Sequence, residues 1–176
     1  EPSKSDFIFN PHTEELEIGI QTAEECGHIV DNLVCNMALM DSNEEYWELY
    51  DLEGNIILLD FSTMWCGPCQ NAAATAQEFQ DIYEDDQFQY VTILVEDEEG
   101  IPVDYEDLRR WVEFYGLISV PTLLGNRDLI DAQDPSQGYP VSSWPTFVFI
   151  NRDLTVYHGL YGYSEEWLHS LIQEML

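Results

Sequence analysis

Cys66 and Cys69, separated by Gly67-Pro68 and preceded by Trp65, are the residues best able to do chemistry. They follow an apolar run, Ile56-Ile57-Leu58-Leu59-Asp60-Phe61, that reads as a buried strand, and precede an Ala-rich stretch, Asn71 to Ala76, that reads as a helix. Two cysteines three apart at a strand-to-helix junction suit dithiol–disulfide exchange. The first sulfur sits at the helix N-terminus, where free N–H groups and the macrodipole favour a thiolate. The second lies one turn on, within reach of a mixed disulfide on the first. Pro68 fits, because proline is tolerated in a helix's first turn. A static Cys66–Cys69 disulfide is the plain alternative. Half of a zinc site is another, but it needs two more ligands at metal-like spacing. Cys26 and Cys35 are nine apart and precede the motif, and His12, His28, His158 and His169 are scattered, so no metal is assigned.

Other residues earn attention by their setting. Asp60 interrupts an apolar strand, where a carboxylate is costly without a partner or a task; a strand-end aspartate bonded to backbone is the alternative. Pro145, in Trp144-Pro145-Thr146, precedes a strand-like run, and cis peptide bonds are essentially confined to X-Pro. Pro121 in Val120-Pro121-Thr122 competes for the same role. Pro145 is preferred because a hairpin and a capped helix follow it. Trp65 reads as a partly exposed groove wall, with core packing as the alternative. Cys26 and Cys35 are candidates for a structural disulfide or for two free buried thiols; spacing does not decide, since a bridge needs Cα atoms within about 7 Å.

The elements that position these residues follow from periodicity. Residues 1–13 read as a polar tail, and Leu16, Ile18 and Ile20 alternate like a weak strand. Leu33 to Leu39 and Tyr46 to Leu52 read as an N-terminal hairpin. The near-continuous apolar run Ile56 to Ser62 suits a strand covered on both faces. A helix is predicted from Gly67 to Tyr83, with Ala72, Ala76, Phe79 and Tyr83 on one face. Strand Phe88 to Val95 follows. Asp104 caps a helix whose stripe is Leu108, Trp111, Val112 and Tyr115. Val120 to Leu124 reads as a strand and Asn126 to Gly138 as a long turn-rich connection with one short helix at most. Thr146 to Ile150 and Leu154 to His158 flank Asn151-Arg152-Asp153 as a hairpin. Ser164 caps a last helix burying Trp167, Leu168, Leu171, Ile172 and Met175. The division expected is an extension over 1–27 and one domain over 28–176.

The 176 residues suffice for one sizeable core, and 45% hydrophobic content excludes a wholly disordered chain. No apolar run approaches the roughly 20 residues of a membrane span. Five basic residues face 35 acidic ones, a net charge of −30, and Lys4 is the single lysine. Nucleic acid and anionic lipid are poor partners for such a surface. A solvated surface suited to salt is the first reading of the acidity and an acidic docking face for a basic partner the second. Calcium at Glu96-Asp97-Glu98-Glu99-Gly100 is a weaker idea, because the EF-hand loop pattern is missing. The chain opens Glu1-Pro2-Ser3-Lys4 without methionine or signal peptide, which reads as a mature or trimmed chain, with an anchor outside it compatible with that.

The segment from Asp60 to Cys69, Asp60-Phe61-Ser62-Thr63-Met64-Trp65-Cys66-Gly67-Pro68-Cys69, resembles the active-site segment of thioredoxins. The wider layout resembles the extracytoplasmic TlpA/ResA-like thiol–disulfide oxidoreductases, relatives of the AhpC/TSA redoxins. There a strand, an acidic-Gly turn and the catalytic strand open the core, as Tyr46 to Tyr50, Asp51-Leu52-Glu53-Gly54 and Asn55 to Phe61 do here. Tyr139 to Ile150 resembles the family's cis-proline strand. The resemblance spans roughly residues 28–176. It implies an α/β thioredoxin-like three-layer fold: a central mixed sheet with helices on both faces and an N-terminal β extension. It implies Cys66 as nucleophile, Cys69 as resolving thiol and Asp60 as the buried acid that moves the resolving thiol's proton. It places Trp65, Gly67, Pro68, Trp144, Pro145 and Thr146 along the substrate groove. Three positions differ from thioredoxin: Ala74 where a proline kinks the helix, Gln70 where a basic residue follows the second cysteine, and Ser62 where a tryptophan stands.

The function expected is reduction of protein disulfides through the Cys66/Cys69 dithiol, without a cofactor. Gly-Pro between the cysteines is thioredoxin's own pair, and thioredoxin lies near about −270 mV. Partners implied are disulfide-containing proteins and an upstream thiol reductant, in a periplasmic or secreted setting. The rivals are a redox-inactive binding module or chaperone on the same fold, and a peroxiredoxin-like peroxidase. The peroxidase motif would need a proline where Leu59 stands.

Overall fold

The computed structural model describes residues 26–176. The expected polar tail, the Leu16–Ile20 alternation and all of the 1–27 extension except Cys26 and Gly27 lie outside the described residues. In chain order the elements are β1 (Ala38–Met40), β2 (Tyr46–Glu48), β3 (Ile56–Ser62), α1 (Gly67–Tyr83), β4 (Phe88–Leu94), α2 (Tyr105–Tyr115), β5 (Thr122–Leu124), β6 (Thr146–Ile150), β7 (Val156–Tyr161) and α3 (Glu165–Met175). Single 3-10 turns lie at Leu49–Leu52, Glu84–Asp86 and Arg127–Leu129.

All seven residues of β3 are buried, as its apolar run requires. It is the middle strand of a sheet ordered β5-β4-β3-β6-β7. β3 runs parallel to β4 and antiparallel to β6. β4 and β5 are parallel, and β6 and β7 form the C-terminal hairpin. Strand alternation divides the core in two. Ile56, Leu58, Tyr90, Leu94, Phe147 and Phe149 pack with the buried faces of α1, α2 and α3. Ile57, Leu59, Phe61, Val91, Ile93 and Val148 pack with Val34, Met37, Leu49, Leu129 and Tyr139 from the N-terminal segment and the long loop. The fold is thus a three-layer thioredoxin-like one. The long helices expected on both faces all pack on one, and 3-10 turns, the long loop and the β1–β2 hairpin cover the other.

The helices begin where their sequences dictate. Asp104 accepts from the N–H groups of Glu106 and Asp107, and Asp107 returns a bond to the Asp104 N–H, closing a capping box. α2 ends on Gly116 at φ 65°, a left-handed position suited to glycine. The Ser164 hydroxyl caps α3 by accepting from the Trp167 N–H.

Four further expectations shift. Leu33 to Leu39 and Tyr46 to Leu52 shrink to two three-residue strands. Ahead of β1 the regular ladder gives out: Val34 N–H turns to Leu154 O at 2.9 Å, and Asn36 meets the Tyr50 N–H through its side-chain Oδ1, at 3.1 Å, instead of its backbone. β5 starts at Thr122, because Pro121 has no N–H to pair. β7 starts at Val156 rather than Leu154; the turn runs through Leu154 at φ 65° and is tied by Asn151 N–H to Thr155 O. Trp167 is 61% exposed, while Leu168, Leu171 and Ile172 form the buried stripe. Trp167 sits one residue ahead of that stripe, about 100° around the helix.

The long connection after β5 folds back on itself. Tyr139 N–H donates to Leu129 O at 2.8 Å and Asp131 N–H to Tyr139 O at 3.0 Å. A Cβ on Gly138 would meet Asp131 N at 2.7 Å and Leu129 O at 2.9 Å, so only glycine fits this close pass.

Candidate active site

Cys66 is the N-cap of α1, with extended φ and ψ of −87° and 115°, and Pro68 occupies the first turn. The Cys66 sulfur accepts the Cys69 backbone N–H at 3.2 Å. Cys66 and Cys69 are joined as a disulfide with Cα atoms 5.2 Å apart. A helix N-terminus thus aims a free N–H at the first sulfur, which favours its thiolate once the bond is opened. Ala72, Ala73 and Ala76 are buried on the inner face of α1. Small side chains there let the helix lie close to the sheet. Cys69 is fully buried, and Cys66 is 5% exposed. In this disulfide form both cysteines of the pair are thus buried. The exposed group at the turn is Trp65, at 46%.

Asp60 is fully buried in the middle of β3, not at its end. Alternation puts it on the same face as Leu58, the face that α1 covers. Its partners are side chains: the Ser62 hydroxyl donates at 2.6 Å and the Tyr90 hydroxyl at 2.9 Å. Burial pushes its pKa up to about 6, and the two hydroxyl bonds hold back a larger rise.

The β3–β6 register sets Thr146 opposite Phe61, so Pro145 lies alongside the residues leading into the cysteine turn. The Trp144–Pro145 bond is cis. Gly162 N–H donates to Pro145 O at 2.8 Å, and the Thr146 hydroxyl to Ser143 O at 2.7 Å. Pro121 instead precedes the edge strand β5, two strands from β3. Trp65, Gly67, Pro68, Trp144, Pro145 and Thr146 thus lie where the chain enters α1 and where it enters β6, at the same end of neighbouring strands.

Glu96 and Arg127 join this region without a clear sequence signal. The Glu96 carboxylate, 8% exposed, accepts the Trp65 indole N–H at 2.9 Å and the Arg127 Nε–H at 2.5 Å. Its backbone O takes the Met64 N–H at 2.8 Å. Burial opposes its charge, but the bonds from Arg127 and Trp65 and the guanidinium charge prevail and hold its pKa below the ordinary glutamate value. The Arg127 guanidinium also lies 5.9 Å from the Trp144 ring centroid, a cation–π distance. One carboxylate thereby ties the cysteine turn, the loop after β4 and the long loop, and Arg127 extends the tie to the turn at Pro145. The usable hints in sequence were an acid just after an apolar strand and a rare arginine in the long loop.

Three acidic side chains of the Glu96–Gly100 stretch have partners within the protein. Glu96 holds Trp65 and Arg127, Asp97 Oδ1 takes the Glu99 and Ile101 N–H groups, and Glu98 pairs with Arg110. Cys26 and Cys35 bond to each other with Cα atoms 4.9 Å apart. Neither is a thiolate ligand that could complete a metal site with Cys66 and Cys69.

A central mixed sheet with a Cys-Gly-Pro-Cys pair at the start of its inner helix and a cis-proline turn beside it defines a thioredoxin-like dithiol protein. The AhpC/TSA family profile matches residues 30–158, which places the chain in that family. No curated protein sequence matches it. Among solved structures, the thioredoxin domain of a thiol-disulfide oxidoreductase from Bacteroides vulgatus is similar at 14% identity and TM-score 0.65, covering 86% of this chain and 99% of that one. An exposed lipoprotein thioredoxin from Streptococcus pneumoniae is similar at 22% identity and TM-score 0.60, with 80% and 99% covered. A secreted disulfide oxidoreductase from Mycobacterium tuberculosis is similar at 19% identity and TM-score 0.58, with 78% and 95% covered. These likenesses establish the fold.

Proposed function

We propose that the protein is a thiol–disulfide oxidoreductase that reduces disulfides in other proteins. The observation that carries this reading is the Cys66–Cys69 pair at the N-terminus of α1, with the Cys69 N–H on the Cys66 sulfur. In the dithiol form the Cys66 thiolate attacks one sulfur of a substrate disulfide. A mixed disulfide forms and the other substrate sulfur leaves as a thiolate. The Asp60 carboxylate takes the proton of Cys69. The Cys69 thiolate then attacks the Cys66 sulfur, the Cys66–Cys69 bond forms, and the second substrate thiolate departs. Two electrons have passed to the substrate, and a separate dithiol reductant restores the pair.

Trp65, Gly67, Pro68, Trp144, Pro145 and Thr146 would form the groove that holds the extended substrate segment. The setting is extracytoplasmic, in keeping with a secreted and a surface-exposed relative in fold. No described helix is long and apolar enough to cross a membrane. Cys26–Cys35 serves structure.

The test is insulin reduction by the protein with a dithiol donor, beside a peroxide-consumption assay. The expected result is insulin reduction that Cys66→Ser abolishes, with little peroxide turnover. Peroxide turnover without insulin reduction would move the assignment to a peroxidase, and neither activity would leave a binding module.

A further inference from the structure

Beside the cysteine turn lies a cavity of about 360 Å³ that the dithiol chemistry does not use. Met64 and Gln70, one residue outside the Trp65–Cys69 motif on either side, form its near wall. They are fastened together by the Gln70 side-chain N–H donating to Met64 O at 2.8 Å. Its far wall is the outer turn of α2, where Trp111, Tyr115 and Phe114 stand as a ladder of edge-to-face rings. Centroids are 4.6 Å apart from Trp111 to Tyr115 and 4.9 Å from Tyr115 to Phe114. Trp111 is buried, but Phe114 is 81% exposed. The bare Phe114 ring therefore stands at the mouth of the cavity, where a side chain entering it would meet an open aromatic face.

The rim is acidic. Glu98 lines the cavity and Asp107 flanks it, with Arg110 held between them at 3.0 and 2.7 Å. Asp97, Glu99 and Glu113 are their neighbours in the chain, and the protein as a whole carries −30. One arginine already bonded to two carboxylates leaves the rim negative. A cationic side chain would find that field together with the open face of Phe114. The volume sits near the low end of the roughly 300–1,000 Å³ of small-molecule sites and has room for a large apolar side chain together with part of its neighbours. An extended chain advances about 3.3–3.6 Å per residue, so a peptide whose cysteine meets Cys66 can place a side chain here from only a few residues away.

We propose that this cavity is the specificity subsite of the enzyme, taking an apolar side chain within a basic stretch of the substrate polypeptide, close in sequence to the attacked cysteine. The inference rests on the dithiol reading of Cys66 and Cys69. It gives the acidic surface a local use at the site and accounts for the bare Phe114.

Four disulfides test it: a peptide disulfide with Leu and two Lys next to its cysteine, the same peptide with Ala for Leu, the same with Glu for both Lys, and oxidised glutathione. The Leu/Lys peptide is expected to be reduced with kcat/KM about tenfold above the other two peptides, as filling or emptying one apolar pocket changes rates by roughly 10–200-fold. Phe114→Ser, a change at an exposed position, should remove most of that preference and leave the glutathione disulfide rate unchanged. The lysine contribution should fade at about 1 M salt, where the Debye length is about 3 Å. Equal rates for all three peptides, or a Phe114→Ser variant that slows glutathione disulfide as much as the Leu/Lys peptide, would overturn the subsite and leave the dithiol reading standing. No turnover of any of the four would remove both.

Discussion

The protein carries two buried disulfides of similar span, and their surroundings differ in kind. Cys26–Cys35 closes a nine-residue separation in irregular chain, and its loop is stitched by Gly27 N–H to Leu33 O at 2.9 Å and Asn32 N–H to Ile29 O at 3.1 Å. Next to it His28 is locked, with its ring 4.3 Å from that of Tyr139 and its Nδ1 2.7 Å from Pro135 O. Cys66–Cys69 lies at a helix start, under an exposed tryptophan, with a backbone N–H on the first sulfur and a buried carboxyl of raised pKa on the sheet face beneath the helix. The first setting, among the described residues, places neither cysteine at a helix start. The second offers a helix dipole, a backbone donor and, on the sheet face that the helix covers, a carboxyl of raised pKa. Burial alone therefore does not separate a structural bond from an exchangeable one; the groups waiting for the opened bond do.

The sharpest way to break this contrast is by deletion. Cys66→Ser should eliminate disulfide reduction in an insulin assay. Replacing Cys26 and Cys35 together by serine should keep activity within about twofold, yet cost roughly 2–3 kcal/mol by the chain-entropy estimate for so short a loop. A denaturant melt beside the assay checks both. Activity lost with the Cys26/Cys35 pair while the fold stays intact would reverse the two roles.

Asp60 sharpens the active side of the comparison. Its folded pKa of about 6 lies above the ordinary 3.8, so the folded state binds its proton more tightly than the unfolded chain does. Its contribution is neutral below about pH 4. Stability is lost as pH rises between those two values, reaching about 3 kcal/mol above pH 6. Asp60→Asn should therefore stabilise the protein by about that much at pH 7 and by nothing near pH 3.5. The same variant should slow release of the mixed disulfide by about a hundredfold or more, the size of a general-base effect. A pH-independent stability difference, or unchanged release, would count against a proton-accepting Asp60.

Much of this was legible in the sequence where the signal is local. The apolar run of β3, the cysteine turn, and the caps at Asp104 and Ser164 each lie within a few residues, and their positions hold. What was hidden depends on chain segments meeting from afar. Glu96 and Arg127 are 31 residues apart, and Tyr90 reaches Asp60 from 30 residues on, so no local pattern announces either bond. The β1–β2 strands were overdrawn because apolar residues there cover a sheet face instead of pairing in one. Trp167 misled because it sits beside the apolar stripe of α3 without belonging to it.

The smallest expected effect treats both regions alike. With −30 spread over the chain, raising salt from about 0.01 M to 1 M shortens the Debye length from about 30 Å to about 3 Å and should raise Tm modestly. The Cys26/Cys35 double variant should show the same slope as wild type. A flat or falling Tm would mean that the acidity is concentrated in a docking face and not shared as self-repulsion.

The most direct measurement equilibrates the protein with a graded series of thiol–disulfide buffers, quenches with acid, alkylates the free thiols and reads each cysteine by mass spectrometry. Opening of Cys66–Cys69 at a less reducing poise than Cys26–Cys35, with Cys66 then alkylated faster than any other cysteine near neutral pH, is the expected result. Joint opening of the two pairs, or opening of Cys26–Cys35 first, would contradict the claim that the helix start makes one bond a working dithiol and leaves the other a clasp.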